Sequence, residues 1–163
     1  MTSEDEWYKA AYHKNDGVTG NYWNYPTSSD TVPSNDLLST DLGNNANFLQ
    51  DGGYTIGSPY WRTEVGEFEN SYSPYGTFDQ GGNVCEWNEA ILNGGPSRGL
   101  RGGSFTSYDD SLRASGRYGY GLHPSHEFGD TGFRVVEVPE PCSALVLTIG
   151  GLSVVARRRR PEH

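Results

Sequence analysis

Apolar positions along this chain come in brief clusters separated by glycine, asparagine, aspartate and serine, and few clusters hold a period for long. The first one does. Ser3-Glu4-Asp5-Glu6 is a capping box that leads into Trp7-Tyr8-Lys9-Ala10-Ala11-Tyr12. It predicts a helix from about Glu4 to about His13, with acids at its positive end and Trp7, Ala10 and Ala11 facing inward. Residues 15–57 predict a long, mostly irregular region, interrupted by Tyr22-Trp23-Asn24-Tyr25-Pro26. A loop of that length inside a compact domain is usually functional or tied by a metal. Residues 60–65 read as a short strand, and 100–105 as a strand broken by Gly102 and Gly103, which signals a bulge or a close backbone approach. Residues 88–96 look like a connection with one apolar patch, Ala90-Ile91-Leu92. Residues 112–118 alternate roughly and predict a strand, and 132–138 form the clearest predicted strand and close the domain. One helix followed by short strands and long loops is an α+β pattern with low regular secondary structure.

The chemistry concentrates between these elements, in Asp79-Gln80-Gly81-Gly82-Asn83-Val84-Cys85-Glu86-Trp87. Asp79 and Glu86 bring two carboxylates, and the glycines let the backbone turn and aim carbonyl oxygens inward. Together they form an oxygen-only cage suited to a hard cation such as calcium. The same residues also fit a β-turn between two strands with solvated acids. Asn44-Asn45-Ala46-Asn47 offers amide oxygens for a second cation, or a turn cluster.

Composition supports a cation-facing surface. The 163 residues include 22 Gly, 11 Tyr, 6 Phe and 4 Trp, with a net charge of −9. The last seven residues hold four of the 12 basic and one of the 21 acidic side chains, which leaves residues 1–156 at −12. Such a surface repels phosphate backbones and argues against nucleic-acid binding. An acidic body suits calcium at the concentrations an exported protein meets. Cys85 and Cys142 stand in different settings and form neither a disulfide framework nor a zinc cluster. The length allows one domain with a real core.

Three blocks in order, Gly82-Asn83-Val84-Cys85-Glu86-Trp87, Arg101-Gly102-Gly103-Ser104-Phe105 and Gly132-Phe133-Arg134-Val135, resemble the formylglycine-generating enzyme family, also called the sulfatase-modifying factor domain. The resemblance covers residues 1–138 and implies a variant of the C-type lectin-like fold, N-terminally incomplete and therefore poor in stability. It implies a calcium site with Asp79 and Glu86 as side-chain ligands and Gly82 and Val84 as carbonyl ligands. A second family site would use Asn47 and the Phe48 carbonyl, without a convincing carboxylate partner. The family's formylglycine-forming members bind copper(I) through two cysteines, since soft thiolates match a soft ion. The corresponding positions here fall at Asp109 and Ala114, neither of which ligates copper(I), so no copper is expected. The departures imply a non-catalytic, calcium-stabilised binding or structural module with an unknown protein or glycan ligand. The alternative is a formylglycine-generating oxidoreductase acting on a sulfatase cysteine.

The tail forms a second unit, residues 139–163. Pro139-Glu140-Pro141, an apolar run of about 15 residues and Arg157, Arg158, Arg159 and Arg160 resemble a bacterial PEP-CTERM sorting signal. The run is short of the ~20 residues a comfortable span needs, and the arginines can snorkel and hold the C-terminus at the cytoplasmic side. The resemblance implies export, transient retention in the inner membrane through the C-terminal helix, processing by a sorting peptidase, and release to the cell surface or extracellular matrix. No signal peptide precedes Ser3, which suggests that the start lies further upstream. Elsewhere, His123 and His126 near Glu127 and Asp130 make a weak metal candidate. Ser104 lacks an activating histidine and reads as structural. Arg101, Arg113, Arg117 and Arg134 are expected to pair with acidic or core-edge carboxylates, and some to line a cleft.

Overall fold

A computed structural model describes residues 1–37, 40–92, 94–117 and 121–136. The sorting-signal tail predicted over 139–163 lies outside the described residues, as do 137 and 138 of the last predicted strand.

The chain opens with helix α1 (Glu4–Tyr12), and its start is the predicted capping box. Ser3 Oγ accepts from the Glu6 amide at 3.2 Å, and Glu6 Oε2 accepts from the Ser3 amide at 2.9 Å. Two otherwise unpaired amides are satisfied reciprocally. The inward face is Trp7, Ala11 and Tyr12, with Tyr12 taking the place predicted for the half-buried Ala10. An i, i+4, i+5 stripe explains this: Tyr12 buries its ring and still donates its hydroxyl to the Leu112 carbonyl at 2.9 Å.

Two small sheets follow. Strands β1 (Leu49–Gln50) and β2 (Gly53–Tyr54) form a hairpin turned by Asp51 and Gly52, both at positive φ. Strands β3 (Cys85–Ile91), β4 (Arg98–Arg101) and β5 (Thr131–Phe133) form a sheet in the order β4-β3-β5. β4 is antiparallel to β3, with Trp87 opposite Leu100 and an irregularity before Ile91. β5 is parallel to β3, with Glu86 opposite Gly132. A short helix, α2 (Asp109–Leu112), separates β4 from β5. The result is a mixed helix–strand architecture in which loops carry most of the chain.

Several predicted elements are corrected. Residues 60–65 form turns and bends, because Trp61 adopts a left-handed φ of 59° that breaks extension. Residues 112–117 close α2 and then turn, and Arg113 pairs back onto Asp109 at 3.1 Å. Residues 88–91, read as connection, continue β3 because β4 pairs alongside. The strand of 100–105 ends at Arg101, where Gly102 turns to a φ of 89°. The clearest predicted strand is three residues long.

The core has two parts. Tyr25, Ala46, Phe48 and Leu112 pack together, and Trp7, Ala11 and Tyr12 form a second cluster flanked by Tyr8 and Ala114. The Tyr12–Leu112 hydrogen bond joins them.

Candidate functional site

The loop before β3 is wound left-handed at Asp79, Gly82 and Asn83, with φ of 55°, 79° and 60°. Asn83 is the hub that holds this winding. Its amide N–H donates to the Asn47 carbonyl at 2.7 Å, its carbonyl accepts from Phe105 N–H at 3.1 Å, and its Nδ2 donates to the Thr63 carbonyl at 3.3 Å. Its Oδ1 accepts from Asn47 Nδ2, also at 3.3 Å. Asparagine tolerates this backbone region and supplies both donor and acceptor, and so one side chain ties three loops. Gly82 is required on separate grounds: a Cβ there would overlap the Asn47 carbonyl.

Of the four predicted ligands, Asp79 and Glu86 fall within one electrostatic locus, centred on Arg134. Glu86 is 5% exposed, and its Oε2 accepts from Trp7 Nε1 at 2.6 Å and from Arg134 Nε at 2.7 Å. Arg134 Nη2 also donates to the Phe78 carbonyl at 2.5 Å. Asp79 Oδ2 accepts from Gly66 N–H at 2.7 Å. Burial pushes the Asp79 carboxyl above its ordinary range, against the opposing pull of the Gly66 amide and the Arg134 charge. Burial likewise raises Glu86, opposed by Arg134 and Trp7, and the Asp79 charge adds to the rise. A buried carboxylate and a half-buried one thus lie in the field of one guanidinium, which pairs directly with Glu86 alone. Among the described residues no hydrogen bond reaches Asp79 Oδ1 or Glu86 Oε1. One oxygen left open on each carboxylate is the donor type that a hard cation takes. Gly82 gives its N–H to the Gly102 carbonyl at 2.9 Å, and the Val84 side chain lies against Gly132. The sequence assigned Arg134 a core-edge carboxylate in general terms. Its identity as Glu86 depends on the parallel β3–β5 register, which the sequence did not show.

A cleft of about 300 Å³ opens along β4. Cys85, Gly102, Gly103, Ser107, Asp110 and Arg117 are among its walls. Cys85 is a free thiol whose pKa is pushed up to about 11, first by burial and then by the nearby Asp130 charge, against hydrogen bonds from Ser104 and Ser107. It is therefore a neutral thiol at pH 7. Buried Ser104 contacts Thr106, Ser107 and Asp130, which agrees with its structural reading. Asp109 accepts from the Tyr25 hydroxyl at 3.0 Å as well as from Arg113. Ala114 donates its N–H to the Asn24 carbonyl at 2.9 Å and packs on the Trp7 cluster. Arg101 and Arg117 at the cleft wall both grip Glu4, at 2.8 and 2.5 Å, and fasten α1 to this region.

The remaining candidates act as braces. Asn44 Nδ2 donates to the carbonyls of Thr31 and Val32, and Asn45 Nδ2 donates to the Asp36 carbonyl, as the turn-cluster reading expects. Asn47 is 2% exposed and donates to the Trp61 carbonyl at 3.1 Å. His123 bonds Ser125 at 2.7 Å, and His126 packs edge-on against Phe128. Among the described residues no three His, Cys, Asp or Glu side chains group as metal ligands, and no helix is long and apolar enough to cross a membrane.

Comparison with known proteins agrees with this loop-built scaffold. No curated protein matches the sequence. The solved structure of Treponema denticola variable protein 1 is similar with a TM-score of 0.52 at 24% identity, over 82% of this chain and 45% of that one. The chain thus spans less than half the length of that protein, and the likeness shows the fold alone. A family model, the sulfatase-modifying factor enzyme 1-like domain, matches residues 1–139. With its glycine-wound loop, its Glu86–Arg134 pair and this match over most of its length, the chain belongs to the sulfatase-modifying factor enzyme 1-like domain family.

Proposed function

We infer that this chain is an exported, surface-associated module of a C-type lectin-like variant that binds a ligand without catalysing a reaction on it. The observation that carries this reading is the state of the cleft. Its thiol, Cys85, is protonated at neutral pH. The positions corresponding to the copper-binding cysteines are an aspartate held by Tyr25 and Arg113 and a partly buried alanine packed against the Trp7 cluster. A protonated lone thiol is a poor nucleophile and a poor copper(I) ligand. In this reading Asp79, Glu86 and the carbonyls of Gly82 and Val84 hold calcium, which supplies the positive charge that Arg134 alone does not. Export, inner-membrane retention and peptidase processing rest on the residues of the tail and belong to the same proposal.

The test has two arms. The protein is titrated with copper(I) and incubated with a thiol-containing sulfatase peptide. The expected outcome is no stoichiometric copper binding and no peptide oxidation, whereas oxidation would establish the oxidoreductase alternative. In the second arm the thermal midpoint is followed with chelator and then with calcium in excess. Calcium is expected to raise it by several degrees. An unchanged midpoint would remove the ion from the proposal and leave Arg134 as the sole counter-charge.

A further inference from the structure

Three aromatic rings meet in one cluster, two of them seven residues apart and the third from a distant segment. Tyr54 of β2 lies 4.8 Å from Trp61 at an interplanar angle of 77°, and Trp61 stacks on Phe105 at 6.2 Å and 25°. Tyr54 also reaches Phe105 at 6.5 Å. Tyr54 is 43% exposed and the neighbouring Tyr60 74%, while Trp61 and Phe105 are half-buried. Apolar rings are left facing water where an ordinary core would cover them.

The backbone is constrained so as to place the indole there. Arg62 N–H donates to the Tyr60 carbonyl at 2.6 Å, closing a three-residue turn with Trp61 at a φ of 59°. Such a turn is rare and strained for a bulky residue. Buried Asn47 braces it by donating to the Trp61 carbonyl, and Arg62 Nη1 anchors the loop to the Gly129 carbonyl. Strain held by its surroundings at a half-buried ring is a reason to look for a ligand.

The rim is polar. Ser104 and Thr106, on either side of Phe105, both donate to Asp130 Oδ2, at 3.2 and 3.4 Å. Among the described residues no hydrogen bond reaches Asp130 Oδ1. An open carboxylate oxygen, a hydroxyl and a guanidinium beside stacked rings match alternating hydroxyls and C–H faces. The net charge of −9 selects against acidic ligands. Ser107, two residues beyond Phe105 in the chain, lines the cleft described above.

We propose that Tyr54, Trp61 and Phe105 form a stacking platform for a neutral carbohydrate, with Asp130 and Arg62 reading its hydroxyls. This rests on the binding-module reading and names its ligand class.

The full chain is titrated with neutral oligosaccharides of glucose, mannose, galactose and N-acetylglucosamine up to about 10 mM, with indole fluorescence and heat as readouts. At least one is expected to bind, and Tyr54→Ala and Phe105→Leu each to weaken it about tenfold while retaining the thermal midpoint. An oligouronate is expected not to compete. Binding that survives both substitutions but is lost in Ser111→Trp, which fills the cleft, overturns the platform and leaves the module reading standing. Absence of binding across the whole panel overturns it too, as does capture of a protein partner that no sugar displaces. Copper-dependent oxidation of the thiol peptide, by contrast, defeats the module reading itself.

Discussion

At the scale of single residues, the instructive feature is a pair of carboxylates whose folded state favours the proton. Both Asp79 and Glu86 are raised by burial. A group raised on folding contributes stability below its unfolded pKa and loses it as pH rises through the folded value. In metal-free protein, ionised Asp79 is therefore a burden at pH 7. Asp79→Asn keeps an acceptor for Gly66 N–H, and it is expected to raise the metal-free midpoint by a few degrees and to abolish the calcium response. Because burial raises the Asp79 carboxyl, the advantage over wild type should shrink as the pH is lowered through the acidic range and Asp79 itself takes up a proton. Calorimetry across that range checks both statements. Cys85 gives an independent handle. Its pKa near 11 means that alkylation, followed by mass spectrometry on the Cys85 peptide, should be slow at neutral pH and accelerate only in alkali. The same group contributes stability that disappears as pH rises toward that value.

At the scale of elements, short-range signals were legible and long-range ones were not. The capping box marks α1 because both of its partners lie three residues apart. The Gly-Gly-Asn winding was readable as a turn because each of those residue types tolerates positive φ. The strands were misjudged where their partners are distant. β3 runs to Ile91 only because β4 lies alongside, and residues 60–65 fail as a strand because Trp61 is turned by a brace from Asn47, fourteen positions earlier. Arg134 meets Glu86 through a parallel register that no local pattern encodes. Two substitutions separate these kinds of information. Ser3→Ala removes one cap and should cost about 1 kcal/mol in chemical denaturation. Gly82→Ala forces a Cβ into the Asn47 carbonyl at a left-handed position, and is expected to cost at least about 2–3 kcal/mol.

At the scale of the whole molecule, one buried carboxylate gathers the chain. Trp7 from the first helix and Arg134 from beyond the last strand both end on Glu86 Oε2. Replacing Trp7 with Phe would leave that oxygen with one donor fewer, a loss expected at about 1–3 kcal/mol and measurable by urea unfolding. The family membership was legible from three short blocks. The cleft and the ring platform were not, since Tyr54, Trp61 and Phe105 are spread over more than fifty positions. The Trp7–Glu86–Arg134 meeting also sets how far the chain must close on itself. The indole meets a carboxylate 79 positions later in the chain, and that carboxylate meets its guanidinium a further 48 along. Both closures are long-range, so this centre assembles only once distant segments have come together, and contacts of such separation slow folding.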